Sequence, residues 1–274
     1  MLHRVSTPPP MRPPEFITSP ANPLIKELRK AVSRGGLMEN GWCVAESANL
    51  LEEALRSPCS VRAVIAGESA QTSLDPWQPA LAEVRLVTVP DKFLDASSQG
   101  LVALVEPPQW TLSQLFGARP LLLVIDRLQD PGNLGTILRS AEAFGATGAL
   151  LSKGTVNAFN PKVIRASAGS IFRLPFLQGL DDEELLAMVR ESGADLYSAV
   201  PDSSRSLDSA DLTRPCALVI GSEGRGVSAV FRRVAQDLSI PTAGVESLNA
   251  AVSAAVLLYE ARRQRNLTRE ARPL

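Results

Sequence analysis

Histidine is almost absent from this chain of 274 residues, which contains a single one, His3, within a proline-rich start. A hydrolase with a histidine base needs that side chain in folded structure, and so does a zinc site with a histidine ligand. We expect the proline-rich start to be flexible. The sequence therefore argues against Ser-His-Asp and Cys-His hydrolases and against histidine-bound zinc.

Cysteine is scarce too, since the chain has only Cys43, Cys59 and Cys216 and no Cys-x-x-Cys pair. An odd number without paired spacing is a poor basis for a disulfide framework or a four-cysteine metal site. We predict that the chain binds no metal, and a reducing cytosol is the compartment that fits it best.

Long apolar runs are also missing. A membrane-spanning helix needs about 18 apolar residues in succession, and no stretch of the chain reaches that length. The opening residues, MLHRVSTPPP, lack the apolar segment of a secretory signal. We therefore expect a cytoplasmic protein without a membrane partner.

The formal net charge is −1, so the chain is not coated in positive charge as a nonspecific nucleic-acid binder would be. Its basic residues are instead concentrated locally. Between Asn157 and Arg173 all charged residues are basic, and arginines predominate near the C-terminus. Such clusters are usually solvent-exposed faces, and they become candidate RNA contacts only where other motifs point to RNA.

Strand and helix patterns alternate over 16–106 and predict a small α/β domain. Paired prolines then indicate a linker. The predicted layout is a flexible start at 1–15, the small domain at 16–106, the linker at 107–120, a second domain at 121–268 and a tail at 269–274.

The second domain opens with Leu121–Ile125, a continuous apolar run typical of a strand buried on both faces. The alternation that follows predicts an open, mostly parallel sheet, which binds its ligands at the carboxyl ends of its strands. Three motifs lie at such ends. Further strands are expected at 148–151, 195–200, 217–220 and 238–240, and helices at about 133–144, 181–192, 227–236 and 247–264.

The first motif is DPGNLG at 130–135. Its Asp-Pro-Gly is turn chemistry, and Asn133 suits the N-cap of the next helix. An apolar stripe predicts the buried side of that helix, whereas Arg139 lies on a face with Gly135. A ligand could approach the guanidinium closely there, although a capping asparagine and a surface arginine would explain the same residues.

The second motif is GSEGRG at 221–226, directly after the apolar run Ala217–Ile220. Three glycines in six residues let the backbone turn sharply and approach a bound molecule closely. The spacing is neither that of a Rossmann fingerprint nor that of a P-loop. A plain glycine-rich turn is the alternative, but the preceding strand and Glu223 favour a small-molecule site.

The third motif runs from Ile240-Pro241 to Ser247-Leu248-Asn249. Ser247 is a natural N-cap for a helix that starts at Leu248 and is apolar nearly all round. A helix of that kind is usually buried on several sides. Asn249 stands out as a polar side chain in its first turn, where it is either harmless or functional.

In this order the three motifs resemble those of the SpoU (TrmH) family of RNA ribose 2′-O-methyltransferases, which belongs to the SPOUT class. The resemblance implies a trefoil knot in the C-terminal domain, S-adenosylmethionine as methyl donor and a homodimer. It implies catalytic roles for Arg139, Asn133, Glu223, Ser247 and Asn249. It also implies that the cofactor binds against Gly221, Ser222, Gly226, Ile240, Leu248 and Val200.

The N-terminal domain resembles the substrate-binding domain that precedes the catalytic domain in many members of this family. The matching residues are Ile17–Ser19, Asn22–Lys26 and Val44–Glu46. This chain has Ser47 where the family has a glycine after the glutamate. A stretch at 160–170 also resembles the family's basic segment. These matches imply RNA contacts at Lys26, Lys162 and Arg165.

The motifs together predict transfer of a methyl group from S-adenosylmethionine to a ribose 2′-hydroxyl of structured RNA. Arginine stays protonated in proteins, so Arg139 is expected to bind phosphate and stabilise the developing alkoxide. DNA is excluded as a substrate because it lacks the hydroxyl. Large-subunit ribosomal RNA is the favoured target, with transfer RNA as the alternative.

Two further alternatives concern the class of protein. In a Rossmann-type methyltransferase the glycine motif should follow the first strand of the domain, whereas here it follows a late one. A catalytically silent RNA-binding protein on the same fold would not need all three motifs intact. Both alternatives are therefore disfavoured, and a methyl-transfer assay separates the second from an enzyme.

Overall fold

A computed structural model describes residues 13–270, with side chains as far as residue 267. The expectations for 1–12, including His3, and for 271–274 lie outside the described residues. The chain divides into two compact units. The N-terminal unit contains Met1–Pro108 and Phe159–Phe172, and the C-terminal unit contains Gln109–Ala158 and Arg173–Leu274.

The N-terminal unit is built on a mixed sheet. Its strands are β1 (Glu15–Phe16), β2 (Cys43–Glu46), β3 (Ser60–Gly67), β4 (Arg85–Val89) and β5 (Leu101–Glu106), in the order β1-β4-β3-β5-β2. β4 pairs parallel with β1 and β3, whereas β5 pairs antiparallel with β3 and β2. The carboxyl ends of these strands are therefore divided between the two opposite ends of the sheet. The first two helices are α1 (Pro23–Arg34) and α2 (Ala48–Leu55).

Helix α1 is delimited by its own sequence. The side chain of Asn22 accepts a hydrogen bond from the backbone N–H of Leu24 at 2.9 Å, and Pro23 occupies the first turn. Gly35 ends the helix with a φ of 66°. Because its apolar side is buried, the helix turns a basic face to solvent, formed by Lys26, Arg29, Lys30 and Arg34.

The C-terminal unit contains a six-stranded sheet in which each pairing is parallel. Its strands are β6 (Leu121–Ile125), β7 (Gly148–Ser152), β8 (Phe176–Leu180), β9 (Asp195–Ala199), β10 (Cys216–Ile220) and β11 (Gln236–Leu238), in the order β11-β9-β10-β6-β7-β8. Its helices are α3 (Leu112–Phe116), α4 (Pro131–Phe144), α6 (Asp182–Glu191), α7 (Ala229–Arg232) and α8 (Ala250–Glu270). All carboxyl ends of these strands lie at one edge, where such sheets bind ligands.

The central strands confirm the sequence prediction. β6 covers Leu121–Ile125 as expected, and every residue of β6, β7 and β10 is buried. The edges were predicted less well, since β8 was not expected. The helix predicted at 227–236 is shortened to α7, because Gln236 already pairs with β9 as part of β11.

The predicted linker at 107–120 is not a plain linker, because α3 forms within it. A capping box joins Thr111 and Gln114 at its start. Leu115 is fully buried, and a Cβ at Gly148 would meet its side chain at 2.6 Å. The paired prolines end β5. Helix α3 forms a few residues later, because burial of Leu115 stabilises it.

The segment Phe159–Phe172 groups with the N-terminal unit, although the prediction placed it inside a continuous domain at 121–268. It holds α5 (Pro161–Ser167), which is capped by the side chain of Asn160. Its apolar side chains are buried, and Arg165 forms an ion pair with Glu46 of β2. This packing interrupts the second domain in a way that its sequence does not indicate.

In the part of the chain that the structure describes, no helix combines the length and the apolar character that a bilayer crossing requires. Among the same residues, no group of three or more histidine, cysteine, aspartate or glutamate side chains is placed to hold a metal ion. Burial raises the pKa of the Cys43 thiol and raises that of Cys216 to about 11, so both are protonated at neutral pH.

Candidate active site

The three motifs meet at the carboxyl edge of the C-terminal sheet. The first follows β6 and opens α4, the second follows β10, and the third leads from β11 into α8. β6 and β10 are neighbours in the sheet, and α4 packs against α8. Motifs that are far apart in the chain are therefore close together in space.

The start of α4 corrects the prediction for Asn133. The N-cap is Asp130, whose carboxylate accepts the backbone N–H of Asn133 at 2.7 Å, and Pro131 follows in the first turn. Asn133 is therefore not the cap, because an earlier acceptor and a proline start the helix before it. Its side chain is left to make tertiary contacts.

The start of α8 corrects the prediction for Ser247 in the same way. The helix begins at Ala250 and not at Leu248. The side-chain oxygen of Asn249 accepts the backbone N–H groups of Ala251 at 2.8 Å and of Val252 at 3.3 Å. Asn249 thus has the capping role that Ser247 was expected to fill.

A chain of hydrogen bonds joins one residue from each motif. The side-chain amide of Asn249 donates to the side-chain oxygen of Asn133 at 3.1 Å. The side-chain amide of Asn133 donates in turn to Oε1 of Glu223 at 2.7 Å. The side-chain oxygen of Asn249 accepts from the N-terminus of α8, so its NH₂ group points toward Asn133. The amide of Asn133 is fixed in turn, and its NH₂ group orients Glu223.

The glycine motif closes on itself. The backbone N–H of Gly226 donates to the carbonyl of Ser222 at 2.9 Å, and the reverse bond is 3.2 Å long. A Cβ at Gly221 would overlap the backbone of Gly226 and Val227. Gly226 itself has a φ of 64°. Glycine at 221 is therefore required for the loop to approach its own backbone, as well as for any approach to a ligand.

A pocket of about 230 Å³ lies beside this loop. Two residues predicted to be catalytic, Glu223 and Ser247, line it. Sequence reasoning missed the strand ends that complete the apolar wall, such as Ile220 and Leu238, because burial is their only signal. All six residues predicted to contact the cofactor line this pocket: Val200, Gly221, Ser222, Gly226, Ile240 and Leu248.

Arg139 projects from α4 and is exposed. It has no hydrogen bond or ion pair to any other residue that the structure describes, and it does not line the pocket. Gly135, which was expected to leave a bare surface beside it, is buried. The exposed positions on its side of the helix are Gly132, Thr136 and Ala143. The cation is thus available to an external ligand.

The three residues predicted to contact RNA all belong to the N-terminal unit. Lys26 and Lys162 are exposed. Arg165 is half-buried, and its guanidinium pairs with the carboxylate of Glu46, which is 4% exposed. Arg165 therefore has a structural partner that the basic pattern of its segment did not reveal.

Asp126 is a residue of this site that sequence reasoning missed. It follows β6 directly and is 1% exposed. One carboxylate oxygen accepts the backbone N–H of Ser228 at 2.7 Å, and the other accepts from Arg127 at 2.5 Å. It therefore ties the end of β6 to the chain that leaves the glycine loop. An acid directly after a fully apolar run was the available signal.

Arg265 shows that the basic C-terminal segment is not uniformly exposed. Its guanidinium donates to the carbonyls of Leu212 at 2.9 Å, Pro120 at 2.8 Å and Arg214 at 2.7 Å. Burial lowers the pKa of Arg265 from its usual value. This arginine holds α8 to the beginnings of β6 and β10 and is not available to RNA.

A family model described as SpoU rRNA Methylase matches residues 120–259. An uncharacterised tRNA/rRNA methyltransferase from Synechocystis is 38% identical over 264 residues, which cover 90% of this chain and 93% of that protein. A 23S rRNA guanosine 2′-O-methyltransferase from Bacillus subtilis is 30% identical over 254 residues, or 90% of this chain and 98% of that one. The solved structure of the SpoU methyltransferase AviRb from Streptomyces viridochromogenes, in complex with AdoMet, is similar with a TM-score of 0.78 and 27% identity, covering 90% of this chain and 100% of that chain.

Proposed function

The chain belongs to the SpoU rRNA methylase family, and we propose that it transfers a methyl group from S-adenosylmethionine to a ribose 2′-hydroxyl of structured RNA. The observation that carries this proposal is the hydrogen-bond chain from Asn249 through Asn133 to Glu223 beside the glycine-loop pocket. It brings one residue from each of the three motifs together at one place. If the motifs had separate structural roles, they would not need to meet.

The pocket fits the cofactor in chemistry. Val200, Ile220 and Leu238 form an apolar wall suited to a purine ring. Nothing lies within 4 Å of the position that a Cβ would take at Gly226, so the loop offers open space there. Glu223 brings a carboxylate to the pocket, which suits a positively charged sulfonium. S-adenosylmethionine, when bound, supplies the methyl group, and these residues hold and orient it.

The roles of the polar residues follow from their contacts. Asn133 engages Oε1 of Glu223 and leaves Oε2 without a partner among the described residues. Ser247 adds an exposed hydroxyl at the pocket. Arg139 supplies an exposed guanidinium, so it binds the substrate phosphate and stabilises the alkoxide that forms as the hydroxyl loses its proton to solvent.

Large-subunit ribosomal RNA is the proposed target. The Bacillus subtilis relative is named as a 23S rRNA methyltransferase, and 98% of its length is matched by this chain. Transfer RNA is the alternative. DNA is not a substrate because it lacks the 2′-hydroxyl. A cytoplasmic location is part of the proposal and agrees with where such RNA is found.

A homodimer is also part of the proposal. On α8, Val252 is 49% exposed and Tyr259 is 55% exposed. The ring of Phe144 on α4 meets that of Tyr259 edge-on, with centroids 5.8 Å apart. Contiguous exposed apolar side chains on packed helices are typical of a protein interface. A dimer would let basic residues of one chain reach RNA held by the other.

The trefoil knot and the two-domain layout complete the proposal. β11 lies at one edge of the sheet, yet the chain returns from it so that α8 packs against α4. That return is compatible with the threading of the C-terminal segment that the family resemblance implies. The N-terminal unit would then present RNA, and the C-terminal unit would perform the methyl transfer.

The test is to incubate the purified protein with total RNA and a tritiated methyl donor. We expect label in RNA and, after mapping, a site that resists alkaline cleavage because its 2′-hydroxyl is methylated. Asn249→Ala should reduce incorporation strongly, and Asn40→Ala, at an exposed position of the N-terminal unit, serves as the matched control. RNA binding without any incorporation would establish the catalytically silent alternative.

A further inference from the structure

A second pocket, of about 210 Å³, lies in the N-terminal unit beside α1 and the segment that follows β4. Leu28, Phe93 and Val102 contribute apolar walls, and the polar lining residues are Arg29, Ser33, Glu46 and Asp95. A mostly apolar pocket with a small number of placed polar groups is the usual composition of a ligand site. This pocket shares no lining residue with the pocket beside the glycine loop.

Two groups suited to stacking occur together at this pocket. The guanidinium carbon of Arg29 lies 5.4 Å from the centre of the Phe93 ring. Both residues line the pocket. Aromatic rings and arginine planes are the surfaces on which proteins stack unpaired RNA bases. Phe93 is only 9% exposed and Arg29 lies over its ring, so the exposed guanidinium is the surface that a flat aromatic ligand would meet.

Glu46 supplies an acceptor that lacks a donor. Oε2 of Glu46 accepts from Arg165 and from the hydroxyl of Ser97. Oε1 has no hydrogen-bond partner among the residues that the structure describes. Glu46 is 4% exposed and lines the pocket. Oε1 itself is not a fully buried atom, so it stays accessible and can accept N–H donors of a ligand in place of water.

Charges around the pocket are arranged in two zones. The acceptors inside it are carboxylates, since Asp95 lines it along with Glu46. Exposed cations lie on α1 and next to Phe93, namely Lys26, Arg34 and Lys92. Carboxylates disfavour an anion in the pocket, whereas the cations favour phosphates along its rim. That distribution matches a nucleotide whose base is inserted and whose backbone stays outside.

We propose that this pocket binds one unpaired base of the substrate RNA, with guanine preferred. Guanine carries N1–H and N2–H₂ on one edge, and these donors match a carboxylate acceptor while the ring stacks against the guanidinium of Arg29, which lies over Phe93. The inference rests on the proposed function in one respect, which is that RNA is the partner. It adds a recognition site in the N-terminal unit that is separate from the methyl-transfer chemistry.

Binding is measured with the full chain, without cofactor, by fluorescence anisotropy. The probe is a labelled single-stranded RNA dodecamer of adenosines and cytidines with one central guanosine. Its counterparts carry inosine, which lacks the N2 amino group, or an abasic site at that position. We expect the abasic RNA to bind about tenfold more weakly, as loss of one stacked base predicts. Inosine should lie between the two.

A variant that fills the pocket locates the effect. Ser33 lines the pocket and is exposed, and its hydroxyl donates to the carbonyl of Lys30. Ser33→Trp should therefore fold and block the pocket. Ser73→Trp makes the same exchange at an exposed position of the same unit outside it. We expect Ser33→Trp to bind the three RNAs equally and Ser73→Trp to retain the preference.

Equal affinity of the unchanged protein for the three RNAs would overturn the proposal, and so would a guanosine preference that survives in Ser33→Trp. Glu46→Gln provides a second check, because it keeps the shape of the side chain and should selectively narrow the gap between guanosine and inosine. Methyl transfer to total RNA is assayed in parallel. If the protein methylates RNA but shows no preference for guanosine, only the base-binding proposal is refuted. If it prefers guanosine but does not methylate RNA, only the proposed function is refuted.

Discussion

The two units differ in how their sheets distribute the ends of their strands. In the C-terminal sheet each pairing is parallel, so the loops after β6, β10 and β11 leave from one edge and bring Asn133, Glu223 and Asn249 into contact. In the N-terminal sheet β5 runs against both of its neighbours. That unit builds its pocket beside a helix instead. The parallel sheet brings residues of distant motifs together at the carboxyl ends of its strands. In the mixed sheet the carboxyl ends are divided between two sides, and the pocket lies beside α1.

The units also differ in how they use left-handed backbone. In the C-terminal unit, Gly226 adopts a φ of 64°, which glycine accepts readily, and Arg127, at 53°, is the one described residue other than glycine with a positive φ. In the N-terminal unit, Ser47 has a φ of 112°, Gln99 of 52° and Ala168 of 47°. Side chains in such conformations cost about 1–3 kcal/mol each. The N-terminal unit therefore has more residues with strained backbone than the C-terminal unit, and Ser47 has the largest positive φ among them.

The largest expected effect comes from breaking the glycine loop. Gly221→Val places a side chain where the backbone of Gly226 and Val227 already lies, so the loop cannot close and binding of S-adenosylmethionine should fall below detection by calorimetry. Gly224→Ala is the matched control, because nothing lies within 4 Å of its Cβ position. Unchanged affinity in a folded Gly221→Val protein would place the cofactor elsewhere.

The next effect separates chemistry from cofactor binding. Arg139→Ala removes the cation proposed to stabilise the alkoxide and should slow methyl transfer roughly 10²- to 10³-fold, the order expected for one such donor. Cofactor affinity should not change, since Arg139 does not line the pocket. Arg190→Ala, at another exposed helical arginine of this unit, is the control. Near-normal turnover by Arg139→Ala would contradict the assignment.

Assembly is tested on the exposed side of α8. Replacing Val252 and Tyr259 together with aspartate should convert a dimer into monomers in light scattering and remove activity, because charges would be buried at the interface. Val234→Asp, at another exposed apolar position, should do neither. Leu258 is unsuitable for this test because it is fully buried in its own chain. An unaltered protein that is active as a monomer would refute the dimer.

The smallest effect tests the strain in the N-terminal unit. Ser47→Gly should raise the free energy of unfolding by about 1 kcal/mol in urea titrations, since glycine adopts this backbone conformation without the side-chain penalty. The loss of the weak cap that Ser47 provides to Leu50, at 3.4 Å, offsets little of that gain. Ser73→Gly is the control and should not stabilise. A destabilised Ser47→Gly protein would mean that the cap outweighs the strain.

Much of the site could be predicted because its motifs carry local signals. A glycine cluster after an apolar strand indicated the loop at Gly221, and a pocket lies beside that loop. The caps of α4 and α8 could not be predicted reliably. Asp130 and Asn133 both suit an N-cap, as do Ser247 and Asn249, and intrinsic preference does not choose between such neighbours. In α4 the residue with the tertiary contacts, Asn133, is not the cap, whereas in α8 Asn249 both caps the helix and contacts Asn133.

Local chemistry by itself determined the buried run Leu121–Ile125, the boundaries of α1 and the presence of three motifs at strand ends, because burial, capping and turn preferences act over a few residues. Tertiary structure alone decided that Asn249, Asn133 and Glu223 are joined by hydrogen bonds and that Arg165 pairs with Glu46. These partners are separated by 90 to 119 positions. A hydrogen bond depends on distance in space, which only the folding of the chain establishes.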